Sequence, residues 1–250
     1  MKSPMQTPLG GLTKGLIVSC QASPGWPLYG SEHMQRMAVA AQQGGAVGIR
    51  ACWPDNIRKI KEAVTLPVIG VNKVVKGRPT AADIIITPSF EAAAEIIEAG
   101  CDILGMDCTA RGRTWDDVGR LLEDIRAHYP DIPIMADIST LEEGLTAARL
   151  GVHILSTTLS GYTNTSLGLT EEEARGLTHY PEGQEPPPDL ELIRRLRERT
   201  ALPINAEGRF WEVEQVRQAL RNGADFVTVG TAITAPQLIT KRFADAIRGA

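Results

Sequence analysis

The sequence predicts an α/β fold, a single-domain (β/α)8 TIM barrel of the phosphate-binding type, on three observations. Eight short apolar runs recur along the 250 residues, each too brief for a helix and too continuous for a half-exposed strand, which is the pattern of buried parallel strands. Amphipathic stretches of helical period separate them, and regular alternation of the two makes a parallel sheet covered by helices. The residues that lead into the strands also alternate, glycine before one and proline before the next, so the repeating unit is two strands with two helices. A closed barrel of eight units accommodates that period, whereas an open doubly wound sheet gives no reason for it.

Residues 1–14 form an N-terminal segment ahead of the first run, 16–20. Gly45, Gly100, Gly151 and Gly223 lead into runs 47–49, 103–106, 153–156 and 226–229, where glycine ends the preceding helix in the left-handed conformation. Pro67, Pro133 and Pro203 lead into 68–71, 134–136 and 204–206, fixing the chain where no ladder donor is needed. Helical periods fall over 90–99, 115–128, 141–150, 189–199 and 213–222, with a terminal helix around 243–247. Two stretches exceed a minimal barrel: residues 73–87, with a further apolar run at Ile84, Ile85 and Ile86, and a long Gly- and Pro-rich loop, 159–188. Both leave the strand ends where barrel active sites sit, so lids are expected there, with 171–179 equally readable as surface elaboration.

Composition narrows the function. With 26 Lys and Arg against 30 Asp and Glu, a net charge of -4 repels nucleic acid and anionic membranes, so neither is an expected partner and any anion needs a local site. Cys20, Cys52, Cys101 and Cys108 include no Cys-x-x-Cys pair and no metal-finger spacing with the four histidines, so a reduced, cytoplasmic setting without metal is expected. No apolar targeting core is visible, nor a run near the roughly 18 residues of a membrane helix. Without Gly-x-Gly-x-x-Gly or a Walker motif, no nucleotide cofactor is indicated.

The residue just past each run is expected at the barrel mouth: Gln21, Arg50, Lys73, Asp107, Asp137, Thr157 with Thr158, Glu207, and Gly230 with Thr231. A solvated mouth would also be polar; the signal is the variety of cations and carboxylates converging on one floor, where they perturb one another's protonation. Glu207-Gly208-Arg209 and Gly230-Thr231 follow strands seven and eight, the recurrent phosphate site of this fold. Glycines there admit backbone N–H groups to a phosphate, and Arg209 adds a forked donor. Lys76 falls in a loop, His153 at the remote end of its strand, and His33, His128 and His179 on the surface.

Ser19-Cys20-Gln21-Ala22, Gly48-Ile49-Arg50-Ala51, Pro67-Val68-Ile69-Gly70-Val71-Asn72-Lys73, Met106-Asp107-Cys108-Thr109, Met135-Ala136-Asp137-Ile138-Ser139-Thr140, Thr157-Thr158-Leu159-Ser160-Gly161-Tyr162 and Ala206-Glu207-Gly208-Arg209 together resemble the bacterial N-acetylmannosamine-6-phosphate 2-epimerase family. The resemblance runs from Gly15 to about Phe243. It implies a cofactor-independent barrel enzyme of sialic acid and amino sugar catabolism, leaning toward a homodimer, that converts N-acetylmannosamine 6-phosphate to N-acetylglucosamine 6-phosphate. Lys73 and Glu207 match the family's catalytic lysine and glutamate, and Gln21, Arg50 and Asp137 match substrate contacts. The chain departs from the family in its loops, at Lys76-Gly77-Arg78-Pro79-Thr80 and after Tyr162, which bears on substrate breadth more than on activity.

That chemistry suits these residues. In the open-chain sugar the C2 proton is alpha to an aldehyde, so a base, a donor to the carbonyl oxygen and a phosphate anchor suffice. Lys73 would be the base, Arg50 would stabilise the enolate, Asp137 would orient hydroxyls or the lysine, and Glu207 would move a proton in ring opening or at C2. The same residues also suit two rival functions: a lyase or synthase forming a Schiff base through Lys73, and a non-catalytic sugar-phosphate sensor.

Overall fold

Eight parallel strands close on themselves in chain order: β1 (Gly15–Cys20), β2 (Gly48–Cys52), β3 (Val68–Val71), β4 (Ile103–Asp107), β5 (Ile134–Asp137), β6 (Ile154–Ser156), β7 (Ile204–Glu207) and β8 (Phe226–Val229). The ring is completed by β8 against β1, with Gly15 opposite Phe226 and Val18 opposite Val229. The computed structural model describes residues 9–75, 77, 79–177 and 185–249; Lys76, His179 and the start of the expected N-terminal segment lie outside them.

Each strand is followed by a covering helix: α1 (Ser31–Gln43), α2 (Pro54–Lys61), α3 (Phe90–Glu98), α4 (Trp115–His128) and α5 (Leu141–Arg149) after the first five. The loop after β6 holds the short α6 (Asn164–Leu167) and α7 (Glu171–Gly176) before α8 (Leu190–Arg199); α9 (Val213–Arg221), α10 (Thr231–Thr234) and α11 (Pro236–Arg248) complete the chain. Helices α4 and α5 start at reciprocal caps, Thr114 with Asp117 and Thr140 with Glu143, each satisfying backbone N–H groups that a helix start leaves unpaired.

Alternation along the strands makes two cores. One face of the sheet packs Ile49, Val68, Leu104, Ala136 and Leu155 against the helices. Ile17, Ile69, Ile103, Met135, Ile154 and Phe226 form a separate plug inside the barrel base. Since residues two apart share a face, the plug predicts what lies nearer the mouth: Ser19 above Ile17, Asp137 above Met135, Ser156 above Ile154 and Thr228 above Phe226. The apolar plug turns into a polar floor within one step of the alternation.

Strands β3 and β8 have the expected bounds and the others differ by a residue or more at an end; two of these differences bear on the site and the barrel base. Strand β2 runs on through Arg50 to Cys52, where the apolar run at 47–49 placed its end, because the Arg50 charge is paired inside the barrel and does not stop the strand. Strand β6 begins at Ile154; His153, just outside it, accepts a hydrogen bond through Nδ1 from the Ile134 amide at 3.0 Å, tying the barrel base.

Both excursions are built in. Lys73 bridges antiparallel to Ile86, and Ile86 packs with Cys52, Val71 and Leu159 over the rim. Thr87 Oγ1 donates to the Gly105 carbonyl at 2.7 Å and accepts from the Asn72 amide at 3.0 Å, fixing the return of the loop. The second excursion meets the first through the Ala81 amide, which donates to the Leu177 carbonyl at 3.0 Å, so the segment carrying α7 packs on the first excursion.

Candidate active site

The floor is ionic and dry. Arg50 is 1% exposed and Asp137 fully buried. The Arg50 guanidinium donates to Asp137 Oδ2 at 2.5 Å and lies 3.2 Å from Glu207 Oε2. Thr158 Oγ1 donates to the other Asp137 oxygen at 2.6 Å, and Asn205 Nδ2 donates to Glu207 Oε2 at 3.2 Å while its own oxygen accepts from Thr228 Oγ1 at 2.9 Å. Every buried charge therefore meets a partner of opposite sign or a hydrogen-bond donor, as a low-dielectric site demands. Burial works against the Arg50 charge, but the Asp137 and Glu207 carboxylates more than offset it and hold its proton more tightly than usual. Burial pushes the Glu207 carboxyl above its ordinary range, with Arg50 opposing and Asp137 reinforcing.

Above this floor opens a cavity of about 370 Å³ lined by Gln21, Lys73, Thr158, Glu207, Gly208, Arg209, Gly230 and Thr231. The cavity thus brings together eight of the twelve residues expected at the mouth; Arg50 and Asp137 form the floor beneath it without lining it, Asp107 is buried against Arg111, and Thr157 Oγ1 donates to the Glu207 carbonyl at 3.0 Å. Lys73, two residues past the end of β3, makes no side-chain hydrogen bond or ion pair among the described residues, so its amine is available to a ligand. Its backbone is fixed twice, by the Ile86 bridge and by Trp53 Nε1 donating to its carbonyl at 3.1 Å. Gln21 donates to Ser19 Oγ at 2.9 Å, while its buried Oε1 accepts from no described residue. Such an acceptor is costly to leave empty and suits a donor on a bound molecule.

Arg209 is spent differently from the sequence expectation of a forked anion contact. Its guanidinium donates to the carbonyls of Ser160 at 2.6 Å and Pro186 at 3.0 Å, with its charge 5.0 Å above the Tyr162 ring, so it clasps the loop after β6 to the end of β7. Gly161 makes room for it: φ is 78°, and a Cβ there would sit 2.9 Å from Arg209 Nη1. Gly208, at φ 116°, turns the chain away from Glu207 in a conformation that side chains avoid.

Ser19, Trp211, Thr228 and Tyr162 also line the cavity without having been singled out individually. Ser19 and Thr228 had a legible signal, since each is a polar residue two positions before a mouth residue inside an otherwise apolar run. Trp211 had none. All four cysteines are buried and unpaired, and burial pushes the Cys20 thiol to about 12, leaving it no nucleophile. Among the described residues no three of His, Cys, Asp and Glu group to hold a metal ion, and no helix is long and apolar enough to cross a membrane.

Known proteins resemble this chain in sequence and in fold. A family model described as "Putative N-acetylmannosamine-6-phosphate epimerase" matches residues 34–249. A protein of Caldanaerobacter subterraneus described as "Putative N-acetylmannosamine-6-phosphate 2-epimerase" is 45% identical over 238 residues, 95% of this chain and 92% of the relative. One of the same description from Clostridium perfringens is 41% identical over 234 residues, 93% of this chain and 96% of its own. A solved structure of the N-acetylmannosamine-6-phosphate 2-epimerase from Clostridium perfringens superposes with a TM-score of 0.81 at 38% identity, covering 98% of this chain and 99% of that one. Thiamine phosphate pyrophosphorylase from Pyrococcus furiosus, at 15% identity and a TM-score of 0.55 over 91% of this chain and 90% of its own, shares the fold alone. With the family model spanning most of the barrel and relatives above two-fifths identity across nearly the whole chain, this protein belongs to the N-acetylmannosamine-6-phosphate epimerase family.

Proposed function

We propose that the chain interconverts N-acetylmannosamine 6-phosphate and N-acetylglucosamine 6-phosphate by moving the proton at C2, with Lys73 and Glu207 as acid and base and no cofactor. One observation carries this reading: the two side chains line a single cavity from β3 and β7, which stand four strands apart in a ring of eight and so form opposite walls. Inversion at a carbon requires a proton to leave one face and arrive at the other, and groups on opposite walls serve both faces. Phosphate would sit at Gly208, Gly230 and Thr231, the anchor position of the fold. The Lys73 amine takes the C2 proton of the open-chain sugar, the electron pair moves onto the aldehyde oxygen, and Glu207, kept protonated further toward neutral pH by burial, delivers a proton to the other face. Gln21 Oε1 accepts from a sugar hydroxyl or amide N–H. Arg50 and Asp137 act as positioning residues, holding Glu207 from beneath.

The test is C2 exchange of N-acetylmannosamine 6-phosphate in heavy water, followed by proton NMR. Deuterium is expected at C2 of both epimers. A folded protein giving neither exchange nor epimer would sink the reading, and a borohydride-trapped Lys73 adduct would move the chain to Schiff-base chemistry instead.

The same reading includes a homodimer and a cytoplasmic setting; the unpaired buried cysteines suit the latter. Helix α11 has no buried residue, with Phe243 69% and Ile247 78% exposed on one face, an apolar surface that a second chain would cover. Sedimentation velocity is expected to give two chains for the native protein and one after Phe243→Asp with Ile247→Asp.

A further inference from the structure

We propose that Trp53, just past the end of β2, is a positioning residue that sets where the Lys73 amine stands against Glu207. This rests on the epimerase reading above. The ladder between β2 and β3 stops at Cys52 opposite Val71, so the peptide groups of Asn72 and Lys73 need partners elsewhere. The first excursion serves the neighbours of Lys73: the Asn72 amide donates to Thr87 Oγ1 at 3.0 Å, the Asn72 carbonyl accepts from the Thr87 amide at 2.7 Å, and the Val74 amide donates to the Ile85 carbonyl at 2.9 Å. Trp53 holds Lys73 itself, its Nε1 donating to the Lys73 carbonyl at 3.1 Å.

Trp53 reaches that carbonyl in a conformation bulky side chains avoid, with φ 72° and ψ 145°. Its surroundings fix it there. Pro54 behind it favours the extended ψ, and its own amide donates to the Val71 carbonyl at 3.0 Å. The indole packs on the rim cluster of Cys52, Val71, Ile86 and Leu159 and meets Tyr29 edge-on, the ring centroids 6.1 Å apart. Backbone strain persists only where the structure around it holds it, and it gathers where a functional group must be held to a geometry.

The end of β2 thereby reaches both walls of the cavity. Arg50, three residues before Trp53, lies 3.2 Å from Glu207 Oε2, while Trp53 bonds to Lys73, so one short segment spans the acid and the base. Trp53 does not line the main cavity, and its effect on the reaction runs through Lys73. A shift of about 1 Å in a reacting group costs on the order of 10²-fold in rate, so a slackened Lys73 has room to show itself.

The experiment uses Trp53→Phe, which keeps an aromatic ring and drops the N–H. Its kcat on N-acetylmannosamine 6-phosphate is expected to fall by about tenfold with KM within about twofold. Tyr29→Leu, which removes only the edge that steadies the indole, is expected to give a smaller fall of the same kind. The discriminating measurement pairs Trp53→Phe with Lys73→Met. If Trp53 acts through the amine, adding Trp53→Phe to Lys73→Met leaves the residual C2 exchange unchanged within about twofold. A merely structural role lowers exchange by the same factor in both backgrounds and overturns the proposal. So does a Trp53→Phe protein with native kcat, or one whose KM rises while kcat holds. Those outcomes leave epimerisation by the native chain intact, whereas absence of C2 exchange by folded native protein overturns the epimerase reading, and the role of Trp53 falls with it.

Discussion

Replacing Lys73 with methionine is expected to slow epimerisation by about 10²–10⁴-fold, the usual contribution of a positioned acid or base, with the fold intact. Lys73 has no ion pair or side-chain hydrogen bond among the described residues, so losing its amine removes no structural contact, and melting is expected within about 2 °C of the native protein. Methionine keeps the apolar stem and the bulk. The two-wall arrangement sharpens the outcome beyond a simple loss. If Lys73 serves one face of C2 and Glu207 the other, the variant stops epimerising but still exchanges the C2 proton of the epimer that presents it to Glu207. Exchange lost from both epimers would assign both transfers to Lys73, with Glu207 acting on the ring. A fall of less than about tenfold would remove the amine from the proton path altogether. Separate exchange rates for the two epimers, read by NMR beside a thermal melt, distinguish these results.

What the sequence disclosed follows from what each signal measures. The alternation of Pro67, Pro133 and Pro203 with Gly45, Gly100, Gly151 and Gly223 reports strand beginnings on the base side, where local backbone chemistry decides, and β2 to β8 each begin just after one of those residues. Strand ends at the mouth depend on partners far away in the chain. Arg50 looks like the end of an apolar run, yet Asp137 and Glu207, 87 and 157 residues later, pair its charge and let β2 continue. Arg209 reads as an anion ligand because guanidinium suits phosphate, but guanidinium suits carbonyls equally, and the loop after β6 supplies them. The polar step of Ser19, Ser156, Asn205 and Thr228 was visible as single polar letters at inward positions; that they join into a floor required the register of β6, β7 and β8. The apolar run at Ile85 and Ile86 was legible, while its wall beside Lys73 depends on the antiparallel bridge between the ends of one excursion.

Arg50→Met is expected to destabilise the protein by about 3–5 kcal/mol near pH 8, the cost of stranding buried partners of opposite charge, which is roughly 10 °C in Tm for a chain of this size. Methionine matches the apolar reach of the side chain, so the loss is electrostatic more than volumetric. Its pH dependence follows from the sign of the change. Without the cation, two carboxylates share a dry floor, and both burial and mutual repulsion raise their folded pKa values above those of the unfolded chain. Folding then takes up protons, so the deficit is greatest at high pH and shrinks as acid protonates the pair. Lost packing would instead give a deficit flat with pH. Arg50→Lys restores one point charge but cannot fork between Asp137 and Glu207, which stand 2.5 Å and 3.2 Å from the two guanidinium nitrogens, so it is expected to recover only part of the stability. In both variants kcat is expected to fall more than KM rises, because Arg50 lies beneath the cavity and holds Glu207 without lining the space that binds substrate. A melting curve for Arg50→Met that tracks the native one at pH 8, or a KM rise with kcat unchanged, would put Arg50 back in direct contact with the sugar.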